Sequence, residues 1–299
     1  MIRLQVPAST ANLGPGYDAL ALAVSVYNYI EVEPQPQGTP LEIVIEGEGR
    51  GELPQDESNL VFRAFKSAFQ FIGMAVPDVR LKVVNKIPLA RGLGSSAAAI
   101  VGGLLAAQQL LEEPLSQEQI LELALQLEGH PDNISAALLG GLVIACRGND
   151  KMHYTKIGFP KSLKLVLAVP DFQISTQEAR KILPATLTRE QAVFNLSRTA
   201  LLTASFLTDD LTLLSLALED KIHQPYRASL VPGLPTVFEA AKEAGALGVA
   251  LSGAGPTVTA FAHHNLAAIQ KAMEQAFKQH GVTAHTVITT PSLQGAKVL

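Results

Sequence analysis

The chain of 299 residues has a single cysteine, so no disulfide can form within it and nothing calls for an oxidising compartment. Cys146 follows the apolar run Gly141 to Ala145, which reads as a strand, and is expected to be a small buried hydrophobe. There is no basic tract. Lys and Arg number 23 against 27 Asp and Glu, a net charge of -4, which argues against a nucleic-acid partner. An anionic ligand would have to be held by a local site. No stretch reaches the roughly 18 apolar residues of a membrane span; the longest, Ala97 to Leu111, carries Gln108 and Gln109. The opening MIRLQVPAST is no secretion signal, because its apolar stretch is short and broken by Gln5 and Pro7. Internal repeats, low-complexity tracts and the Gly-Lys-Ser/Thr of a Walker A loop are all absent. A soluble, cytoplasmic protein is the expectation.

Hydrophobic residues make up 47% and charged residues 17%, enough apolar material for a substantial core. The length exceeds the ~100–200 residues of a typical single core, so one large or two modest domains are expected. Strands are predicted over Arg3 to Pro7, Ala19 to Glu33, Leu41 to Glu46, Val79 to Val84 and Gly141 to Arg147. Helices are predicted over Asn59 to Phe71 with Ser58 as N-cap, Gly94 to Leu111, Ser116 to Glu128 and Ile134 to Leu139. Ser116 and Gln119 have the spacing of a capping box. Arg147 to Lys161 reads as polar and irregular, and the domain boundary is placed here, giving residues 1–155 and 156–299. The second half offers strands at Leu163 to Val169, Gly248 to Leu251, Thr257 to Ala262 and Ala284 to Thr290. Its helices are Thr176 to Leu183, Arg189 to Phe206, Leu234 to Ala244 and Leu266 to His280. Strands and helices mixed in both halves indicate an α+β class.

The most informative stretch is Pro88-Leu89-Ala90-Arg91-Gly92-Leu93-Gly94-Ser95-Ser96-Ala97-Ala98. Glycines let a backbone approach a ligand and turn its N–H groups inward. The serines and alanines that follow open a helix, whose N-terminus is an anion site. Three readings compete for this loop alone. It can be an ordinary capped helix after a turn. It can be a dinucleotide fingerprint, since Gly92, Gly94 and Ala97 match G-x-G-x-x-A; but Pro88 interrupts the approach, and the acids near the right offset, Glu112 and Glu113, end a helix rather than a strand. Or it can be a nucleotide-triphosphate loop of a type other than Walker A.

Two further segments bear on the choice. Pro7-Ala8-Ser9-Thr10-Ala11-Asn12-Leu13-Gly14-Pro15-Gly16-Tyr17-Asp18 reads as a tight turn between strands that presents Ser9, Thr10, Asn12 and Asp18. Leu251-Ser252-Gly253-Ala254-Gly255-Pro256-Thr257 is a second glycine-rich turn. Each by itself is no more than a turn that needs glycine. In this order and at these distances, the three segments resemble the signature motifs of the GHMP kinases, and the likeness spans nearly the whole chain. It resembles above all the homoserine kinase branch of that family. The opening motif matches apart from Tyr17, where phenylalanine is commoner, and the third has Ala254 where serine is more usual. Glu128-Gly129-His130-Pro131-Asp132-Asn133, Ser175-Thr176-Gln177-Glu178-Ala179-Arg180 and His223-Gln224-Pro225-Tyr226-Arg227 resemble further segments of that branch.

The resemblance implies an N-terminal domain like ribosomal protein S5 domain 2 and a C-terminal ferredoxin-like domain, with ATP between them. It implies that residues 88–98 hold the ATP phosphates, that Asn59 with Leu60 and Val61 lines the adenine pocket, and that Ser96 and Glu128 hold Mg²⁺. For L-homoserine as substrate it implies Arg180 and Arg227 at the carboxylate, and Asn12, Asp18 and His130 in the rest of the amino-acid pocket. Thr176 is expected to face the γ-phosphate. Asp132 matches the aspartate that several of these kinases use as base; the neighbouring Asn133 is the alternative occupant of the active position. Read singly, Glu128 is a solvated helix-end acid and either arginine a surface residue; the motifs around them turn the reading. Another GHMP kinase of the mevalonate type, a catalytically silent regulator on the same fold and a dinucleotide-binding dehydrogenase are the competing readings. Partners other than small molecules are not expected, apart from a homodimer, the commonest assembly.

Overall fold

The computed structural model describes residues 1–148 and 151–299. Its strands are β1 (Ile2–Ala11), β2 (Leu20–Pro34), β3 (Glu42–Gly47), β4 (Val79–Asn85), β5 (Leu142–Arg147), β6 (Met152–Ile157), β7 (Lys164–Pro170), β8 (Gly248–Leu251), β9 (Val258–Ala262), β10 (Ala284–Thr289) and β11 (Lys297–Val298). Its helices are α1 (Leu60–Phe71), α2 (Ser95–Gln108), α3 (Gln117–Glu128), α4 (Pro131–Leu139), α5 (Thr176–Lys181), α6 (Arg189–Thr208), α7 (Leu214–Ala217), α8 (Gln224–Arg227), α9 (Leu234–Glu243) and α10 (Leu266–Gln279). Among the described residues no helix is long and apolar enough to cross a membrane.

Two sheets organise the chain. The first runs β11-β1-β2-β4-β3, with β5 paired to β2 and β6 to β5; all its pairs are antiparallel except β3 with β4. β2 pairs with β1 along one edge and is shared on the other by β5, through Leu20 to Leu22, and β4, through Tyr29 to Pro34. The second sheet, β10-β7-β9-β8, is wholly antiparallel. Its central strand β7 is apolar on both faces, as a strand covered on both sides must be. Leu165, Leu167 and Val169 join the large core with Leu202 and Phe206 of α6, while Val166 and Ala168 pack with Val237 of α9 and Ile269, Met273 and Phe277 of α10.

Helix α2 runs through the first core and is apolar all round, with Ala97, Ala98, Ile100, Val101, Leu104, Ala106 and Ala107 buried. Its Gly102–Gly103 pair is a poor helix former, costing about 1 kcal/mol per glycine against alanine. Packing explains the choice: a Cβ on Gly103 would lie 2.2 Å from the Val61 carbonyl oxygen of α1. The two helices cross at a distance that only glycine permits.

Several expectations need correction. Asn59, not Ser58, caps α1, its side chain accepting from Val61 N–H; Ser58 instead hydrogen-bonds Asp56. Helix α4 starts at Pro131, three residues earlier than expected, because proline suits a first helical turn. Two residues of the supposedly irregular Arg147 to Lys161 lie outside the described chain; the rest includes β6, a strand hidden by its polar side chains. The division expected after residue 155 falls within β6, and β7 opens the second sheet at Lys164. Cys146 is exposed rather than buried. Alternation along β5 buries Ala145 and turns Cys146 outward, past the point where β2 covers the strand. The capping box at Ser116 and Gln119 is present as read.

Helix propensity alone would have Gly103→Ala stabilise the protein. Close packing reverses the sign: the variant is expected to lose about 1–3 kcal/mol of unfolding free energy by overpacking, measured by urea denaturation.

Candidate active site

Three chain segments, far apart in sequence, are stitched together by backbone contacts. The turn after β1 holds Asn12, Leu13 and Gly14 in succession at positive φ, of 68°, 46° and 74°. Asn12 sustains this turn by accepting from Asp18 N–H at 3.0 Å, while its Nδ2 donates to the Gly253 carbonyl at 3.0 Å. Gly253 N–H donates back to Ala11 O at 3.0 Å. On the other side of the 251–257 turn, Ser252 Oγ donates to Gly92 O at 2.6 Å. A Cβ on Gly92 would lie 2.2 Å from Ser252 O, so this contact demands glycine as well as its φ of 76°. Ser9 and Thr10, expected in the first turn, belong to β1 and are buried. Thr10 Oγ1 meets Thr259 Oγ1 of β9 at 3.1 Å, and Ser9 Oγ donates to Asn133 Oδ1 at 2.8 Å.

Beside this junction lies a cavity of about 700 Å³. Leu89 to Ser96 line it, as do Asn12, Asp18, Asn59, Leu60, Val61, Glu128, His130, Asp132, Asn133, Thr176, Arg180 and Arg227. Pro88, Ala97 and Ala98 do not; all three are buried, the alanines facing the core. Gly94 caps α2 in the left-handed region with no side-chain hydrogen bond, so the helix presents its first N–H groups to the cavity without a side chain competing for them. Arg91 is not free to meet a ligand in this arrangement. Its guanidinium donates to the carbonyls of Leu89, Pro170 and Asp171, clamping the loop to the end of β7.

The corner between α3 and α4 brings acids to the same cavity. Gly129 ends α3 in the left-handed region, and Pro131 starts α4 one residue after His130. This tight corner sets Glu128 on one side and Asp132 with Asn133 on the other. Ser96 Oγ donates to both carboxylate oxygens of Glu128, at 2.7 and 2.6 Å. Burial raises the Glu128 carboxyl, and the Ser96 hydroxyl opposes that. A hydroxyl and a carboxylate are hard oxygen donors of the kind Mg²⁺ takes, and that ion keeps several waters, so two protein ligands suffice. Asp132 is 3% exposed. Burial pushes its carboxyl up to about 7, against the Asn133 backbone N–H that it accepts at 2.7 Å.

Opposite charges from the two halves meet at Asp18 and Arg180, whose Nη2 donates to Asp18 Oδ1 at 2.6 Å. Among the described residues Arg180 Nε is buried without a partner, a donor waiting for an acceptor. Burial and the nearby Arg180 hold the His130 imidazole below its usual range, in its neutral form. Thr176 is exposed at the first position of α5, after the Ser175 cap. Residues that sequence reasoning missed include Ile45, Leu53 and Val83, which give the cavity an apolar wall next to Leu60 and Leu89. They carry no motif; only strand alternation marks Ile45 and Val83, and it marks them as core.

Asp132 supplies a pH test. A folded carboxyl raised from 3.8 to about 7 favours the native state while protonated, and that advantage is lost as pH rises between those values. Asp132→Asn keeps the acceptor for Asn133 N–H and cannot ionise. Its stability relative to the parent is therefore expected to rise from about pH 4.5 to about pH 8 in urea denaturation, with a flat difference counting against a buried, raised carboxyl.

Comparison with known proteins gives this geometry its lineage. The family model for GHMP kinases N terminal domain matches residues 59–141, and that for GHMP kinases C terminal matches residues 202–279. The homoserine kinase of Carboxydothermus hydrogenoformans is 45% identical over 296 residues, covering 99% of this chain and 96% of the relative. That of Moorella thermoacetica is 43% identical, covering 99% of both. The crystal structure of homoserine kinase from Cytophaga hutchinsonii superposes with a TM-score of 0.90 at 30% identity, covering 100% of this chain and 97% of the other. Mevalonate kinase of L. major, at 18% identity and a TM-score of 0.69 over 95% of this chain and 94% of that one, shares the fold. The two-domain GHMP architecture expected from the motifs is therefore present, and the chain belongs to the homoserine kinase family within the GHMP kinases.

Proposed function

We propose that the protein transfers the γ-phosphoryl group of ATP to the side-chain hydroxyl of L-homoserine, giving O-phospho-L-homoserine, a step of threonine biosynthesis, in the cytoplasm where MgATP is supplied. One observation carries the reading: a single cavity joins an uncapped helix N-terminus to a set of side chains complementary to a zwitterion. In this reading ATP lies between an N-terminal unit that runs through β6 and a C-terminal unit that opens with β7. The backbone of Gly92 to Ser96 takes the phosphates, and Asn59, Leu60 and Val61 take the base. Ser96 and Glu128 hold Mg²⁺, which supplies charge neutralisation on the phosphates.

Phosphoryl transfer depends on positioning and electrostatics more than on covalent help. Arg180 and Arg227 anchor the homoserine carboxylate, the unpartnered Arg180 Nε supporting that assignment. Asp18 answers the ammonium, and Asn12 and His130 complete the pocket. Thr176 stands toward the γ-phosphate. A carboxyl raised to about 7 is half ionised near neutrality, a value matched to general-base work, so the ionised half of Asp132 is a competent acceptor for the hydroxyl proton. Asn133, its oxygen held by Ser9 Oγ, orients the hydroxyl; the γ-phosphate can itself accept the proton. A homodimer is the default assembly, argued from frequency alone.

The reading is tested by ADP release with MgATP and L-homoserine, mevalonate or galactose offered separately. Turnover on homoserine is expected; activity on another acceptor alone would overturn the substrate, and silence on all three would favour a regulatory protein. Arg227→Ala is expected to raise the homoserine KM at least about tenfold, from loss of a charge-assisted contact, while the ATP KM holds. Asp132→Asn is expected to retain measurable turnover; complete loss with the fold intact would make the aspartate the base.

A further inference from the structure

Arg227 is 2% exposed, yet its guanidinium is held by uncharged acceptors. Nε donates to Ala179 O at 3.2 Å; Nη1 donates to Gly253 O at 2.8 Å and to His223 Nδ1 at 3.2 Å. Among the described residues Nη2 makes no hydrogen bond, so it is the one nitrogen left to meet a ligand in the cavity. His223 is fully buried. Its Nε2 lies 2.7 Å from Gly14 O and 3.6 Å from Asp220 Oδ2. Those are both acceptors, so Nε2 must carry the hydrogen. Nδ1 faces a guanidinium, which is donor-only, so it must present its lone pair.

We propose that His223, as the neutral Nε2–H tautomer, is a positioning residue for substrate recognition: by taking one Nη1 hydrogen of Arg227 it fixes the guanidinium so that Nη2 alone is offered to the homoserine carboxylate. This rests on the assignment of Arg227 as carboxylate anchor made above. An imidazolium here would turn a second N–H against the guanidinium and leave Arg227 one acceptor short. Burial holds the imidazole down to about 4, with Asp220 working the other way and Arg227 adding to the depression. The charged or titratable groups facing it are Asp220, Arg227, Asp18 and the Tyr17 ring, whose centroid is 5.4 Å away.

The surroundings hold the ring in place from both ends. Asp220 Oδ2 accepts from the backbone N–H of His223 at 2.9 Å and of Gln224 at 2.6 Å, and its Oδ1 accepts from Asn195 Nδ2 at 2.7 Å. Asn195 Nδ2 also donates to Pro15 O, in the same turn as Gly14. The first motif is thereby connected through His223 to the substrate arginine, which a purely space-filling side chain would not achieve.

Two substitutions separate the two ring nitrogens. His223→Asn places Oδ1 near Nδ1 and keeps an acceptor for Arg227; His223→Gln keeps a donor for Gly14 O and loses that acceptor. His223→Gln is expected to raise the homoserine KM about tenfold, with kcat and the ATP KM within about twofold, while His223→Asn stays within about threefold on all three. With the carboxylate-free acceptor 2-amino-1,4-butanediol, His223→Gln is expected to match the parent. Equal losses in both variants, or kcat and both KM values moving together, would make His223 merely structural and overturn the proposal. An unchanged homoserine KM in Arg227→Ala would instead overturn the anchor itself. If the Gln variant does not fold, nitrogen-15 histidine spectra of the parent decide: a protonated Nε2 with bare Nδ1 through neutral pH is expected, and a protonated Nδ1 sinks the idea.

Discussion

The close approach of Gly92 to Ser252 is the constraint on which the rest of the site depends. With 2.2 Å between a would-be Cβ and a carbonyl oxygen, the phosphate-type loop and the 251–257 turn meet backbone to backbone. The same turn reaches the opposite way to Ala11, Asn12 and Arg227. The three segments are thus adjacent because glycine stands where two of their backbones come closest, with the short side chains of Ser252 and Asn12 bridging beside it. A side chain at Gly92 would not only strain a positive φ; it would part the two halves of the cavity wall.

Around that junction the electrostatics are arranged by burial. The carboxyls of Glu128 and Asp132 are raised by loss of water, and the imidazoles of His130 and His223 are lowered by it. Each shift moves its group toward the neutral form. The partly exposed Asp18–Arg180 pair joins the turn after β1 to α5 across the two halves. Burial works against the charge of Arg227, whose hydrogen bonds among the described residues go to uncharged acceptors. Such a site is poor in net charge until a substrate brings its own. A zwitterion with a carboxylate for the arginines and an ammonium for Asp18 suits it better than an anion alone.

Much of the fold was legible because its signals are local. Alternation marked β2 and β4, and helical spacing with a capping box marked α3. The unread pieces lack a local signal. β6 is a polar strand defined by its pairing to β5, and the two-residue β11 exists only as a partner of β1. Cys146 misled because an apolar run says nothing about which residues the neighbouring strand covers. Arg91 reads as a phosphate ligand from its place in the loop; its three carbonyl partners belong partly to residues 170 and 171, some eighty positions away.

By itself the sequence determined the class of fold, the motifs and the residue types gathered at the cavity, because glycine, proline and short polar side chains dictate turns through their own backbone preferences. Tertiary structure alone decided which of those residues face the cavity and which stand behind it: Ala97 and Ala98 turned into the core, Ser9 went beneath Asn133, and Ile45 and Val83 became wall. The tautomer of His223 is of the same kind. It follows from Gly14, Asp220 and Arg227 converging on one ring; Asp220 and Arg227 are near neighbours in the chain, but Gly14, which fixes the Nε2 hydrogen, comes from 209 residues away and leaves no trace in the local sequence.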